Sequence, residues 1–189
     1  MSQYFEDRVY EKQDYTQKPL PKGDYEGCRF KGCGFSNADL SAINFIDCCF
    51  EDCDLSGAGI GQASFQDTVF NNCKLVGVHF EDAHTFLFSP RFEHTVLTLS
   101  SFYGVKMKHA AFYHCILHEV DFVDADCSTV VFDNCDFAGA RFENTNLEKA
   151  DLRTAVHYSI NPEKNKIKKA IFSLPHIAGL LHQYQIVIN

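Results

Sequence analysis

No stretch of this 189-residue sequence approaches the roughly 18 unbroken apolar residues that a membrane-spanning helix requires. The start, Met1-Ser2-Gln3-Tyr4-Phe5-Glu6-Asp7, has neither the basic segment nor the apolar core of a secretory signal. A soluble, cytoplasmic protein without membrane contact is expected. Basic residues are scarce, with 17 Lys and Arg against 25 Asp and Glu and a net charge of −8. Nucleic-acid phosphates are bound by clustered Lys and Arg that displace counterions, so direct nucleic-acid binding is disfavoured and a basic partner is expected.

Catalytic signatures are missing as well. There is no nucleophile motif and no glycine-rich phosphate loop, and the carboxylates recur instead of converging. No enzyme activity, catalytic residue, cofactor or metal site is therefore expected. Nine cysteines are present, but none of the pairs has the two-residue separation of zinc thiolates, and without a secretory signal reduced thiols are expected.

The charge is unevenly spread. From Asp24 to Arg153 there are 20 acidic and 9 basic residues, whereas 154–189 carries four Lys against Glu163. An acidic body thus precedes a weakly basic tail.

What the sequence does have is a period of five. Every fifth residue from Tyr25 to Phe80 is large and apolar, including Phe30, Phe35, Leu40, Phe45, Phe50 and Leu55. Two places before each stands a small or β-branched residue, such as Cys28, Cys33, Ala38, Ile43 and Cys48. After Phe80 the phase slips by two and resumes from Leu87 through Phe92, Leu97, Phe102 and onward to Leu152. Fourteen of the 18 Phe fall on the central position, which chance placement would not give. A period of five fits neither a helix nor a long strand. It fits a recurrent short bend.

Matches also recur at 20 residues, as in Phe30, Phe50 and Phe70, so four repeats make one coil. Stacked at the 4.8 Å spacing of paired strands, the 26 or so repeats predict about six and a half coils and a rod about 30 Å long. Each buried Phe or Leu contributes roughly 1.5–3 kcal/mol, so a central column can offset the ordering entropy of a thin rod.

Ala38-Asp39-Leu40-Ser41, Cys53-Asp54-Leu55-Ser56-Gly57, Cys135-Asp136-Phe137-Ala138-Gly139 and Ala150-Asp151-Leu152-Arg153 resemble the unit of the pentapeptide-repeat family. The resemblance covers roughly 130 residues and implies an all-β, right-handed quadrilateral parallel β-helix, with central and small residues both inward. The expected organisation is a lead-in and cap over 1–22, the β-helix over 23–155 with a phase slip at 83–91, and a C-terminal segment over 156–189.

Seven cysteines, at 28, 33, 48, 53, 73, 115 and 135, fall on the small inward position and read as core. Parallel stacking of Cys33, Cys53 and Cys73 does not favour disulfide geometry. Cys49 reads as the exposed, reactive thiol. His94 and His114, 20 apart, should stack on one outer face with His109 and His118 nearby, as surface residues rather than ligands. Asp47 and Asp67 align as an outward acidic pair, whereas Lys31 breaks the line of Glu51.

Within the slip, Phe86 and Phe88 either tuck under a bulge or form an exposed contact. Relatives in the topoisomerase-binding branch have longer loops at comparable interruptions. Beyond Leu152, Ser159-Ile160-Asn161-Pro162 reads as a turn, and Ser173 as the cap of a short helix with Ile177, Leu180, Leu181 and Tyr184 on one side. Ile186-Val187-Ile188 reads as a final strand. This tail should cover the open coil end, and it resembles the segment by which Qnr-like and microcin-immunity relatives form head-to-head dimers. The expected homodimer interface is Ile177, Leu180, Leu181, Tyr184, Ile186 and Ile188.

The Qnr-like resemblance implies a stiff acidic rod that occupies the DNA groove of a type II topoisomerase, gyrase or topoisomerase IV, with Asp47, Asp67, Phe86 and Phe88 as partner contacts. The alternative, a structural interaction module with an unrelated protein partner, stays open, because fold alone does not fix function.

Overall fold

The computed structural model describes residues 3–85 and 88–187. Its strands are short because each repeat bends after three or four extended residues. One parallel sheet comprises β1 (Gln3–Glu6), β3 (Gly23–Glu26), β5 (Asn44–Ile46) and β7 (Ser64–Gln66), in that order. A second parallel sheet runs the length of the rod through β2 (Val9–Glu11), β4 (Arg29–Lys31), β6 (Cys49–Glu51), β8 (Val69–Asn71) and β9 (Arg91–Glu93). It continues through β10 (Ala111–Tyr113), β11 (Val131–Asp133), β12 (Asp151–Leu152) and β13 (Ile171–Phe172). Two further faces are held by single bridges, such as Gly34 to Asp54 and Ser101 to Asp121. The result is a four-sided parallel solenoid.

Register fixes the core. Phe30 lies opposite Phe50 and Phe50 opposite Phe70, each 20 residues on. Their rings stack at 4.7 and 5.0 Å between centroids, and the column continues through Phe70–Phe92 (5.3 Å), Phe92–Phe112 (4.9 Å) and Phe112–Phe132 (5.0 Å). A second column, Phe80, Phe102, Phe122 and Phe142, is stacked at 4.5, 5.5 and 5.1 Å. The columns meet edge to face, as where Phe92 and Phe102 lie 6.1 Å apart at 79°. Both geometries suit the ring quadrupole.

The small inward position explains its own chemistry. Its polar side chains donate to the carbonyl of a central residue one coil earlier: Cys53 Sγ to Phe30 (3.3 Å), Cys73 Sγ to Phe50 (3.4 Å), Thr95 Oγ1 to Phe70 (3.0 Å) and Thr145 Oγ1 to Phe122 (2.8 Å). A buried hydroxyl or thiol is tolerated there because a partner is supplied by register.

The rod has about eight coils, not six and a half, which at 4.8 Å per coil makes it about 38 Å long. Residues 3–22 are not a lead-in but the first coil: Phe5, Tyr10 and Tyr15 continue the five-residue spacing and stack on Tyr25, Phe30 and Phe35 at 4.5, 4.8 and 4.8 Å. The second coil is 23–42, the third 43–62, the fourth 63–82 and the fifth 83–104. At the other end the ladder extends to β13, past the expected boundary at 155.

The phase slip is absorbed on one side. In the long sheet β8 pairs directly with β9, Phe70 opposite Phe92. The first sheet ends at β7 among the described residues, and its face resumes as the bridges Lys106 to Asp126, Asp126 to Asn146 and Asn146 to Lys166.

After β13 the chain forms 3₁₀ turns at Leu174–Leu180 and His182–Tyr184. Ser173 precedes them but makes no side-chain cap bond. The expected final strand is not formed at Ile186 and Val187, and Ile188 lies outside the described residues.

Candidate functional site

The outward positions of each repeat divide into two kinds. The residue before each central position sits next to the bend. When it is Asp, its carboxylate turns back to accept the backbone N–H two residues on: Asp39 from Ser41 (2.9 Å), Asp54 from Ser56 (2.9 Å), Asp121 from Val123 (2.9 Å), Asp136 from Ala138 (3.1 Å) and Asp151 from Arg153 (3.1 Å). These are Asx turns, a role that the Ala-Asp-Leu pattern signals but that reading carboxylates as mere solvating charge overlooks. Their pKa values bear this out. The Ser41 hydrogen bond, helped by Lys22, lowers Asp39 to about 2. Burial pushes Asp136 up, but hydrogen bonds from His118 and His157 hold it below the usual carboxylate range.

Two residues after each central position the backbone turns through positive φ. Asp7, Asp47 and Asp67 occupy this corner at φ 50°, 51° and 48°, and Gly27 lies between the first two at 61°. Asp47 and Asp67 are exposed and stand on neighbouring coils, as the spacing predicts. Together with Glu6, Asp24 and Glu26 they make the first face, over coils one to four, a surface whose charged side chains are all carboxylates.

Phe88 is not a surface contact. It is 3% exposed and packs edge-on against Phe80 at 6.0 Å, because the slip leaves core space that an aromatic ring fills. Phe86 lies outside the described residues. Lys31 faces Glu51 across neighbouring strands at 3.6 Å, so that line is neutralised by an ion pair.

All nine cysteines are free thiols. Cys49 is half-buried and not freely exposed, and burial pushes its thiol up, away from the reactive thiolate. Burial likewise raises Cys48 to about 12. His94 and His114 stack at 4.8 Å and 5°. His118 points instead to Asp136, whose oxygens lie 3.1 Å from His118 Nε2 and 2.9 Å from His157 Nδ1. No group of three or more His, Cys, Asp or Glu among the described residues is placed to hold a metal ion, and no helix among them is long and apolar enough to cross a membrane.

The tail covers the last coil. Ile160 N–H donates to Gly179 O at 2.9 Å, Tyr158 and Phe172 pack at 5.5 Å, and Tyr184 Oη donates to Glu163 at 2.7 Å. Leu180, expected at a dimer interface, is 8% exposed and belongs to this cap. Leu181 is partly buried, while Ile177, Tyr184 and Ile186 are exposed. The largest apolar exposures are residues the helical spacing passed over, Leu174 at 84% and Val187 at 86%. A 3₁₀ turn has three residues per turn rather than 3.6, which rotates Leu174 outward and Leu180 inward.

The sequence profile of the pentapeptide repeat region family matches residues 24–89 and 95–172. No curated protein matches the chain in sequence. Among solved structures, a trypsin-treated variant of QnrB1, a plasmid-mediated fluoroquinolone resistance protein, aligns with a TM-score of 0.63 at 19% identity, over 99% of this chain and 92% of that one. Full-length QnrB1 aligns at 0.58 and 17%, over 97% and 100%. HetL, a pentapeptide repeat protein involved in heterocyst differentiation regulation from the cyanobacterium Nostoc, aligns at 0.47 and 14%, over 90% and 86%. These likenesses concern the fold.

Proposed function

The chain belongs to the pentapeptide-repeat family, and from that premise we propose that it is a non-enzymatic protein ligand of a type II topoisomerase, acting as an acidic mimic of DNA. What carries the reading is the first face over coils one to four, where Glu6, Asp7, Asp24, Glu26, Asp47 and Asp67 lie along a rod that cannot flex between coils. Such a surface meets a basic groove with little conformational cost, and its electrostatic complementarity sets encounter rate and register. The overall likeness to QnrB1, a fluoroquinolone resistance protein, agrees with it. The molecule works in the cytoplasm as a dimer joined through the exposed Leu174, Ile177, Ile186 and Val187 of the tail.

A gyrase pull-down at rising salt tests this, run beside a variant with Asp47→Asn, Asp67→Asn and Glu26→Gln. Capture that weakens with salt and with neutralisation is expected. No capture, and no effect on supercoiling or on quinolone inhibition, refutes it. A second reading, a scaffold for an unrelated protein, draws on the exposed Leu99, Tyr103 and Ile116 of coils five and six, which a charge mimic has no use for. A pull-down in which Leu99→Ser with Ile116→Ser loses a partner other than topoisomerase would favour it.

A further inference from the structure

The first face changes sign along its length. Beyond the phase slip its outward positions carry Lys106, Lys108, Lys149, Lys166, Lys168 and Lys169, all exposed, in a chain whose net charge is −8. Asp126 and Glu148 are the carboxylates among them. Asp126 is engaged by Asn146 at 2.9 Å and by Ser128 N–H at 3.1 Å, and it lies 3.7 Å from Lys108. Among the described residues this is the ion pair printed for the six lysines in the structure's own charge network, so most of their charge faces outward.

The two halves are placed symmetrically. Six carboxylates centre near the second and third coils and six lysines near the eighth, with the phase slip of the fifth coil between them. Each centre is then about three coils, roughly 14 Å, from the middle of the face. A two-fold rotation about an axis through that middle, perpendicular to the face, lays the acidic half of one copy over the lysine half of another. Such an isologous pairing satisfies both halves at once. We propose that this face binds a second copy of the same chain, side by side and antiparallel.

The surface is small. About 38 Å of rod and a face about 12 Å wide offer roughly 460 Å² per copy, below the roughly 800 Å² per partner of a stable complex. The pairing is therefore weak, reversible and driven by charge, and it covers the carboxylates that the DNA-mimic reading assigns to the partner. It does not depend on that reading. It also uses a different surface from the apolar tail.

Sedimentation velocity of the full chain tests it, at about 0.01 M salt, where the Debye length is about 30 Å, and at about 1 M, where it is about 3 Å. Association at low salt that weakens at least about tenfold at high salt is expected. Two charge-reversed variants decide the geometry, one with Lys106→Glu, Lys108→Glu and Lys149→Glu, the other with Glu6→Lys, Glu26→Lys and Asp47→Lys. Each alone is expected to lose the salt-sensitive association, and an equimolar mixture to regain it as a heterodimer. Folding of both is checked by circular dichroism, and regained binding in the mixture itself requires folded rods. Salt-insensitive association, or a mixture that fails to pair, overturns the proposal. So does loss of all association in a Leu174→Asp, Val187→Asp variant, which would place the contact at the tail.

Discussion

Phe112→Ala removes a ring that is fully buried, stacked on Phe92 at 4.9 Å and Phe132 at 5.0 Å, and set edge-on to Phe102 at 5.7 Å. Truncating a core Phe costs about 3–5 kcal/mol, including the cavity left behind. Within that total the two stacked contacts account for about 0.5–1.5 kcal/mol each. Backbone ladders on both sides hold the coils at fixed spacing, so the cavity cannot collapse and the upper half of the range applies. Against a typical domain stability of about 5–15 kcal/mol, this is a large fraction. Phe5→Ala at the rod end is the internal control. Phe5 is partly buried and stacks on one ring, Tyr25 at 4.5 Å, so about 1–2 kcal/mol is expected from the reduced apolar burial. Urea unfolding followed by far-ultraviolet circular dichroism gives both numbers. A Phe112→Ala cost under about 1 kcal/mol, or equal costs at the two sites, would refute a continuous stacked core as the source of stability.

Gly179→Ala would place a Cβ 2.3 Å from Tyr158 O and 2.5 Å from its ring. The tail should detach from the last coil, seen as faster proteolysis after residue 173 while the ladder of coils persists. Leu99 sits at φ 61° and is 55% exposed, so Leu99→Gly relieves left-handed strain with little packing lost and should raise stability by roughly 0.5–1 kcal/mol. Gly104→Ala is the converse: at φ 66° with open space around its Cβ, it should cost about 1 kcal/mol by backbone strain alone. Thermal midpoints that move in the same direction for both would contradict this. The Asx-turn carboxylates make stability depend on acid. Asp39 is held at about 2, and Asp54, Asp136 and Asp151 are also lowered, all below the unfolded value of about 3.9. Their contribution is therefore fully present above about pH 4 and lost as pH falls toward 2. Urea midpoints measured from pH 6 downward should drop in that window, and less steeply in Asp39→Asn.

The five-residue period made the core legible because inward positions are a packing requirement repeated without exception from Tyr25 to Leu152. The first coil escaped notice for a physical reason. Gln3, Arg8, Gln13 and Lys18 replace the small inward residue there, since an end coil has solvent above it and no need to close tightly. At the tail the helical spacing chose Leu180 as surface and missed Leu174, because a 3₁₀ turn rotates side chains by a different angle per residue. Phe88 could not be placed from its own pattern, since the extra residues of the slip leave no fixed phase. The acidic surface was visible only as an excess of charge. Which carboxylates serve turns and which face a partner depends on the bend at each corner.

Because β8 pairs with β9 without interruption, the rod's pitch and straightness do not depend on how many residues the chain spends between Thr85 and Phe88. A foreign peptide spliced there would decorate one side wall of the column and leave the coils before and after it in step. The molecule thus offers a ready address for a fluorescent label or an affinity tag at mid-height, a fixed distance from either end.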